Sequence, residues 1–262
     1  IPSFLENRLR DSSHVLRIVA SLVILVFFTF YVSSGMVSGG KYFESTFGGS
    51  YLDGMLIIAF VTVAYTFIGG FLAVSYTDTV QGMIMFGALV LVPIGAYVLI
   101  GGDYDIFSYA TQHPYGPHPS GNPTYFSLFS GISAAAIIGN LAWGLGYFGQ
   151  PHIIVRFMAL RSPKEARSGM FVTVFWMVIC ALGAAGTALV GTVFFGAYPD
   201  HTVTDQTSYE TIFLDMGRML FHPLIGGLVL TAVLAAIMST MASQLLVVSS
   251  ALIEDLYKIT TK

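Results

Sequence analysis

Residues 234–246 read LAAIMSTMASQLL. They lie inside the run 222–250, which holds no Asp, Glu, Lys or Arg. About 20 apolar residues suffice to cross a bilayer as a helix, so this run predicts a membrane span. The composition of the chain agrees. Of 262 residues, 55% are hydrophobic and 10% charged, where a soluble domain carries about 25% charged residues. Yet Ser239, Thr240 and Ser243 crowd into the middle of an apolar segment. With Ala236 they follow the i, i+3, i+4, i+7 spacing of one helix face. Two readings stand side by side: hydroxyls that bond back to the helix and let helices pack closely, or oxygens that replace the water of a hard cation.

Working outward, six spans are predicted, near 16–38, 52–75, 79–100, 127–150, 169–196 and 222–250. If all six cross, nine of the eleven basic residues fall on one side: Arg8, Arg10, Arg17, Arg156, Arg161, Lys164, Arg167, Lys258 and Lys262. Lys41 and Arg218 fall on the other. Basic residues collect on the cytoplasmic face, which puts both ends of the chain inside. The connection 101–126 contains four prolines and no Lys or Arg, so turns and an outside position are expected there. The acidic connection 197–218 ends in YETIFLDMGRMLF, residues 209–221, whose apolar spacing predicts a short interfacial helix. The whole of 1–262 reads as one transmembrane domain. With Ile1 in place of an initiator Met, it reads as a piece of a longer protein.

No charged residue lies well inside a span, so the intramembrane carboxylate of a proton relay is lacking from these segments. The net charge of −3 gives no reason to expect nucleic acid. His14, His113, His118, His152, His201 and His222 form no metal-ligand spacing. No Ser-His-acid arrangement and no phosphate-binding glycine motif stands out, so an enzyme is not expected. Cys180, the single cysteine, sits in an apolar run and reads as a small core residue.

Two further stretches carry signals. GNLAWGLGYFGQPHI, residues 139–153, holds Gly139, Gly144, Gly146 and Gly149, then Pro151. Such a helix can unwind, and interrupted helices mark binding sites in secondary transporters. Trp143 and Tyr147, four apart, either wall a solute pocket or anchor the helix at the interface. In YTFIGGFLAVSYTDTVQ, residues 65–81, Gly69–Gly70 permit a kink or close packing. Asp78 either caps the third span or attracts a cation near its cytoplasmic exit.

LRIVASLVILVFFTFYVSSG, FESTFG, YTFIGGFLAVSYTDTVQ, WGLGYFGQPHI, VRF, LAAIMST and EDLYK occur in that order, and together they resemble the sodium:solute symporter family, above all its bacterial proline-carrying branch. The likeness runs over nearly the whole chain and is weakest in 101–126 and 197–210. It implies an all-α polytopic membrane protein with part of a LeuT-like inverted-repeat fold, the six helices being core helices three to eight and one of them interrupted. It implies a symporter of the plasma (bacterial inner) membrane, driven by a co-transported sodium ion. The solute implied is L-proline, with pantothenate, a sugar or a short carboxylate as alternatives within the family and the membrane sensor of a signalling kinase outside it. Residue by residue, Ala236, Ser239 and Thr240 match sodium ligands. Tyr31, Trp143, Tyr147 and Pro151 match the substrate pathway, and Asp78 matches the cytoplasmic sodium route. Ser243 shares the hydroxyl face without being a ligand in that comparison, and Ala242 stands where the proline branch often has Ser. The resemblance further implies that half of the sodium shell comes from a helix outside this chain, so the isolated piece is not expected to transport.

Overall fold

In lipid no water satisfies the backbone, so apolar segments must close their own hydrogen bonds as helices. The computed structural model describes residues 1–101, 105–112, 126–127, 129–147, 149–197 and 206–260. Its elements are α1 (Pro2–Leu9), α2 (Val15–Phe47), α3 (Tyr51–Ile100), α4 (Ile106–Gln112), α5 (Ala134–Tyr147), α6 (Pro151–Met158), α7 (Pro163–Ala197), α8 (Gln206–Leu220) and α9 (Pro223–Ser250). A π-helical segment, Ala251–Tyr257, follows α9 directly. Among the described residues there is no strand.

Among the described residues, four helical runs are long and apolar enough to cross a membrane: Val15–Phe47, Tyr51–Ile100, Pro163–Gly196 and Pro223–Tyr257. The second accommodates two of the expected spans. Its 50 residues would reach about 75 Å if straight, but Gly70 breaks it with φ 56° and ψ −158°. A side chain clashes with the backbone in that region, which glycine alone occupies freely. The break therefore falls at Gly70, and the turn expected near residues 76–78 is helical instead. The expected span 127–150 is also revised. Its helix, α5, has 14 residues, about 21 Å of rise against a hydrocarbon core of about 30 Å. The connection 101–126 contains α4, which the prolines led us not to expect. Asp105 starts it, with Oδ1 accepting the Phe107 and Ser108 N–H groups, and the four prolines lie beyond its end. Residues 113–125 lie outside the described residues. The helix expected before Phe221 is present as α8, with Leu214 and Met216 buried.

The chain forms two compact units, one of Ile1–Gln81, Leu145–Ala166 and Leu234–Lys262, the other of Gly82–Gly144 and Arg167–Val233. In the first, Ile24, Phe28 and Ala251 form a small buried cluster with Val247 and Val248 against it. The helices approach closely at small residues. A Cβ on Gly35 would meet Met241 Cγ at 2.6 Å, and one on Gly39 would meet Ile58 Cδ1 at 3.1 Å. Close approach at small residues is how helices associate in lipid, where apolar burial supplies little drive. In the second unit Val92, Ala96, Val193, Phe194, Met216 and Val229 form a buried core. Outside these cores the helices present Phe27, Phe30, Phe60, Phe67 and Ile68, all exposed. An apolar exterior of this extent suits lipid.

The link from α1 to α2 is short and polar. Arg10 and His14 adopt positive φ, 53° and 60°. Between them Asp11 accepts the main-chain N–H groups of Ser13 at 2.9 Å and Leu16 at 2.8 Å. The Ser13 hydroxyl and then the Leu16 N–H hold its carboxyl below the ordinary aspartate range.

Candidate functional site

The hydroxyl face of α9 is built as its spacing requires. Ser239 Oγ donates to the Ala236 carbonyl at 3.3 Å, and Thr240 Oγ1 donates to the same carbonyl at 3.0 Å. Three oxygens thus gather within one turn. Each hydroxyl spends its proton on Ala236 and keeps lone pairs to offer a cation. Back-bonding and cation coordination, set against each other in the sequence, use the same atoms and are compatible. All three residues are half-buried. Beside them, Tyr65 on the first arm of α3 donates to the Met238 carbonyl at 2.9 Å.

One turn on, Ser243 faces a charged pair. Arg156 of α6 donates to Ser243 Oγ at 2.6 Å, and Ser243 Oγ donates to Asp78 Oδ2 at 3.2 Å. Arg156 also pairs directly with Asp78. Asp78 lies in the helical part of α3 beyond Gly70, with helix on both sides of it. The capping role considered for it is therefore absent, and its fixed geometry comes from Arg156 and Ser243. Its other oxygen, Oδ1, is buried with no partner. A buried carboxylate oxygen without a partner is costly, which leaves Asp78 with capacity to accept one more donor or cation.

Tyr31 and Pro151 are brought to the same unit. Pro151 starts α6 at its first turn, where its missing N–H costs nothing. The adjacent His152 ring stands edge-on to Phe28 at 5.6 Å and to Tyr31 at 6.4 Å between centroids. A cavity of about 310 Å³ is lined by Pro151, His152, Arg156, Ser243, Val247 and Asp255, among others. Tyr147, half-buried, ends α5 in this unit. Trp143 belongs to the second unit and is 64% exposed.

Reasoning from the sequence missed Arg156, Tyr65 and the bridging role of Ser243. Arg156 counts there merely as one more cytoplasmic charge. The available signal is its place in PHIIVRFM, the one cation in an otherwise apolar α6. Tyr65 carried no signal, because its partner is a main-chain atom 173 residues away.

A chain whose described residues form helices without strands, with spans of this length and a largely apolar exterior, is an integral membrane protein. The family model of the sodium:solute symporter family matches residues 1–262, and the chain belongs to that family. It is 52% identical over 258 residues to the high-affinity proline transporter PutP of Bacillus subtilis (strain 168), covering 98% of this chain and 52% of that protein. It is 48% identical over 259 residues to the sodium/proline symporter of Staphylococcus aureus, covering 99% of this chain and 48% of that protein. The chain spans about half the length of these curated relatives.

Proposed function

We propose that this chain is the central part of a sodium-coupled symporter of the plasma membrane that takes up L-proline by alternating access. It is no enzyme in this reading, and sodium is cargo. The six segments correspond to core helices three to eight of a LeuT-like fold, the two arms of α3 counting separately and α5–α6 forming the interrupted helix. Ala236, Ser239 and Thr240 give their oxygens to sodium. The rest of the shell comes from the part of the full-length carrier that this chain does not span. Pro151, Tyr31, Tyr147 and Trp143 border the proline path, and Asp78 receives sodium on its way to the cytoplasm.

The observation that carries the reading is the gathering of Ser239 Oγ and Thr240 Oγ1 on the Ala236 carbonyl inside an uncharged span. Oxygen-only ligands suit a hard alkali cation. The solute is argued from the relatives, whose printed names specify proline. Binding of sodium drives the cycle only through different affinities for the outward- and inward-facing states.

The test is uptake of radiolabelled proline by the full-length carrier in proteoliposomes, with and without an inward sodium gradient, against a panel of competing solutes. Accumulation that needs sodium and is competed by unlabelled proline supports the proposal. Competition by pantothenate, a sugar or a short carboxylate, with none by proline, reassigns the solute. No accumulation of any solute points to a sensor.

A further inference from the structure

Away from the hydroxyl face, one guanidinium joins three elements. Arg17, at the start of α2, donates through Nε to Asp255 Oδ1 at 3.1 Å and through one NH group to Glu6 Oε2 at 3.2 Å. Its other NH group bonds the Glu254 carbonyl. Ser3 on α1 donates to the same Asp255 oxygen at 2.6 Å, and His14 pairs with Glu6. Asp255 is 2% exposed and Glu6 8%. The cluster therefore ties α1, α2 and the π-helical segment together through polar bonds.

The apolar share of the hold on α1 is small among the described residues. Its buried residues are Pro2 and Glu6, while Phe4, Leu5 and Leu9 are exposed. An element held by few apolar contacts opens at low cost. The cluster itself is close to balance. Two buried carboxylates share one Arg17, with His14 beside Glu6, and the cost of drying buried charges offsets much of their attraction. Such a cluster exchanges protein partners for water more readily than an apolar contact of the same size separates.

Its location gives the exchange a consequence. Pro2 and Asp255 line the same cavity as Arg156 and Ser243, which hold Asp78. Arg8, Arg10, Arg17 and Lys258 place this end on the basic, cytoplasmic side. The segment bearing Asp255 is π-helical and continues α9. Such irregular turns recur at functional positions in helices.

We propose that α1 is a lid on the cytoplasmic mouth of this cavity, latched by the contacts of Arg17 and Ser3 with Asp255, and that the latch releases once in each transport cycle. This rests on the symporter reading above. Release hydrates Asp255 and Glu6, detaches α1 and opens the cavity beside Asp78 to the cytoplasm.

The test uses the full-length carrier with Cys180→Ser and any other cysteines removed. Val247→Cys, on the cavity wall, reports access to a membrane-impermeant maleimide in inside-out vesicles. Asp255→Asn is expected to speed its labelling about tenfold by shifting the population toward the open state. The charge exchange Arg17→Asp with Asp255→Arg is expected to slow it again, which general loosening of the fold would not do. Separately, Ser3→Cys with Asp255→Cys is oxidised to a disulfide. The cross-linked form is expected to lose sodium-driven proline uptake and to regain it on reduction. Unchanged labelling in Asp255→Asn, or undiminished uptake in the cross-linked form, overturns the latch. Uptake by the cysteine-free parent separates that failure from failure of the symporter reading.

Discussion

Tyr65 donates its phenolic proton to the main-chain carbonyl of Met238 at 2.9 Å, joining the first arm of α3 to α9 beside Ser239. This bond sets the position of the hydroxyl face along its neighbour. Tyr65→Phe removes it while keeping the ring, a loss of about 0.5–1.5 kcal/mol. The half-saturating sodium concentration for proline uptake is expected to rise by about two- to tenfold. An unchanged sodium response would reduce the bond to packing.

Thr240 offers a hydroxyl oxygen and a methyl group, and its two truncations separate them. Thr240→Ala deletes the oxygen and is expected to raise the half-saturating sodium concentration about tenfold or more, equivalent to about 1.4 kcal/mol. Thr240→Ser keeps the oxygen and should stay within about threefold of the parent. Equal losses in both variants would assign Thr240 to packing rather than to the ion.

Arg156 and Asp78 are expected to behave as a coupled pair. Arg156→Gln leaves the Asp78 carboxylate buried with Ser243 alone, and should destabilise by about 1–3 kcal/mol. Adding Asp78→Asn removes the orphaned charge and should recover part of that loss. Thermal unfolding of the purified full-length carrier in detergent measures all four members of the cycle. Strict additivity of the two single changes would show that the ion pair contributes nothing.

Gly70 is a position where an added methyl group meets no neighbour and is strained by the backbone conformation alone. Its φ of 56° with ψ −158° is a conformation other residues adopt at about 1–3 kcal/mol. Gly70→Ala is therefore expected to lower the unfolding temperature of the full-length carrier. Gly82→Ala and Gly87→Ala, both helical with open space at the Cβ position, should leave it unchanged or raise it. A neutral Gly70→Ala would mean the bend is not enforced at that residue.

The helices were legible because hydrophobicity is a local property. Runs such as 222–250 and 169–196 show length and apolar content without reference to any partner. The oxygens of Ala236, Ser239 and Thr240 were legible for a related reason, since they lie within one turn of a single helix. The start of the third expected span was misplaced because the polar SYTDT reads as a break, while Gly69–Gly70 read as a kink or close packing. Asp78 satisfies its charge through Arg156, so the polar stretch need not leave the helix. The short α5 was read as a full span because the apolar content of 127–133 does not reveal that these residues stay non-helical where described.

Sequence alone determined that this chain is helical, that it resides in a bilayer and that one face of α9 gathers hydroxyls, because each follows from residue types spaced along one backbone. Tertiary structure decided what those atoms meet. Asp78 faces Arg156 and Ser243, Tyr65 reaches Met238, and Arg17 joins Glu6 to Asp255, residues 249 apart. Pairings of that kind depend on which helix faces are pressed together, and periodicity within one segment holds no information about the segment that covers it.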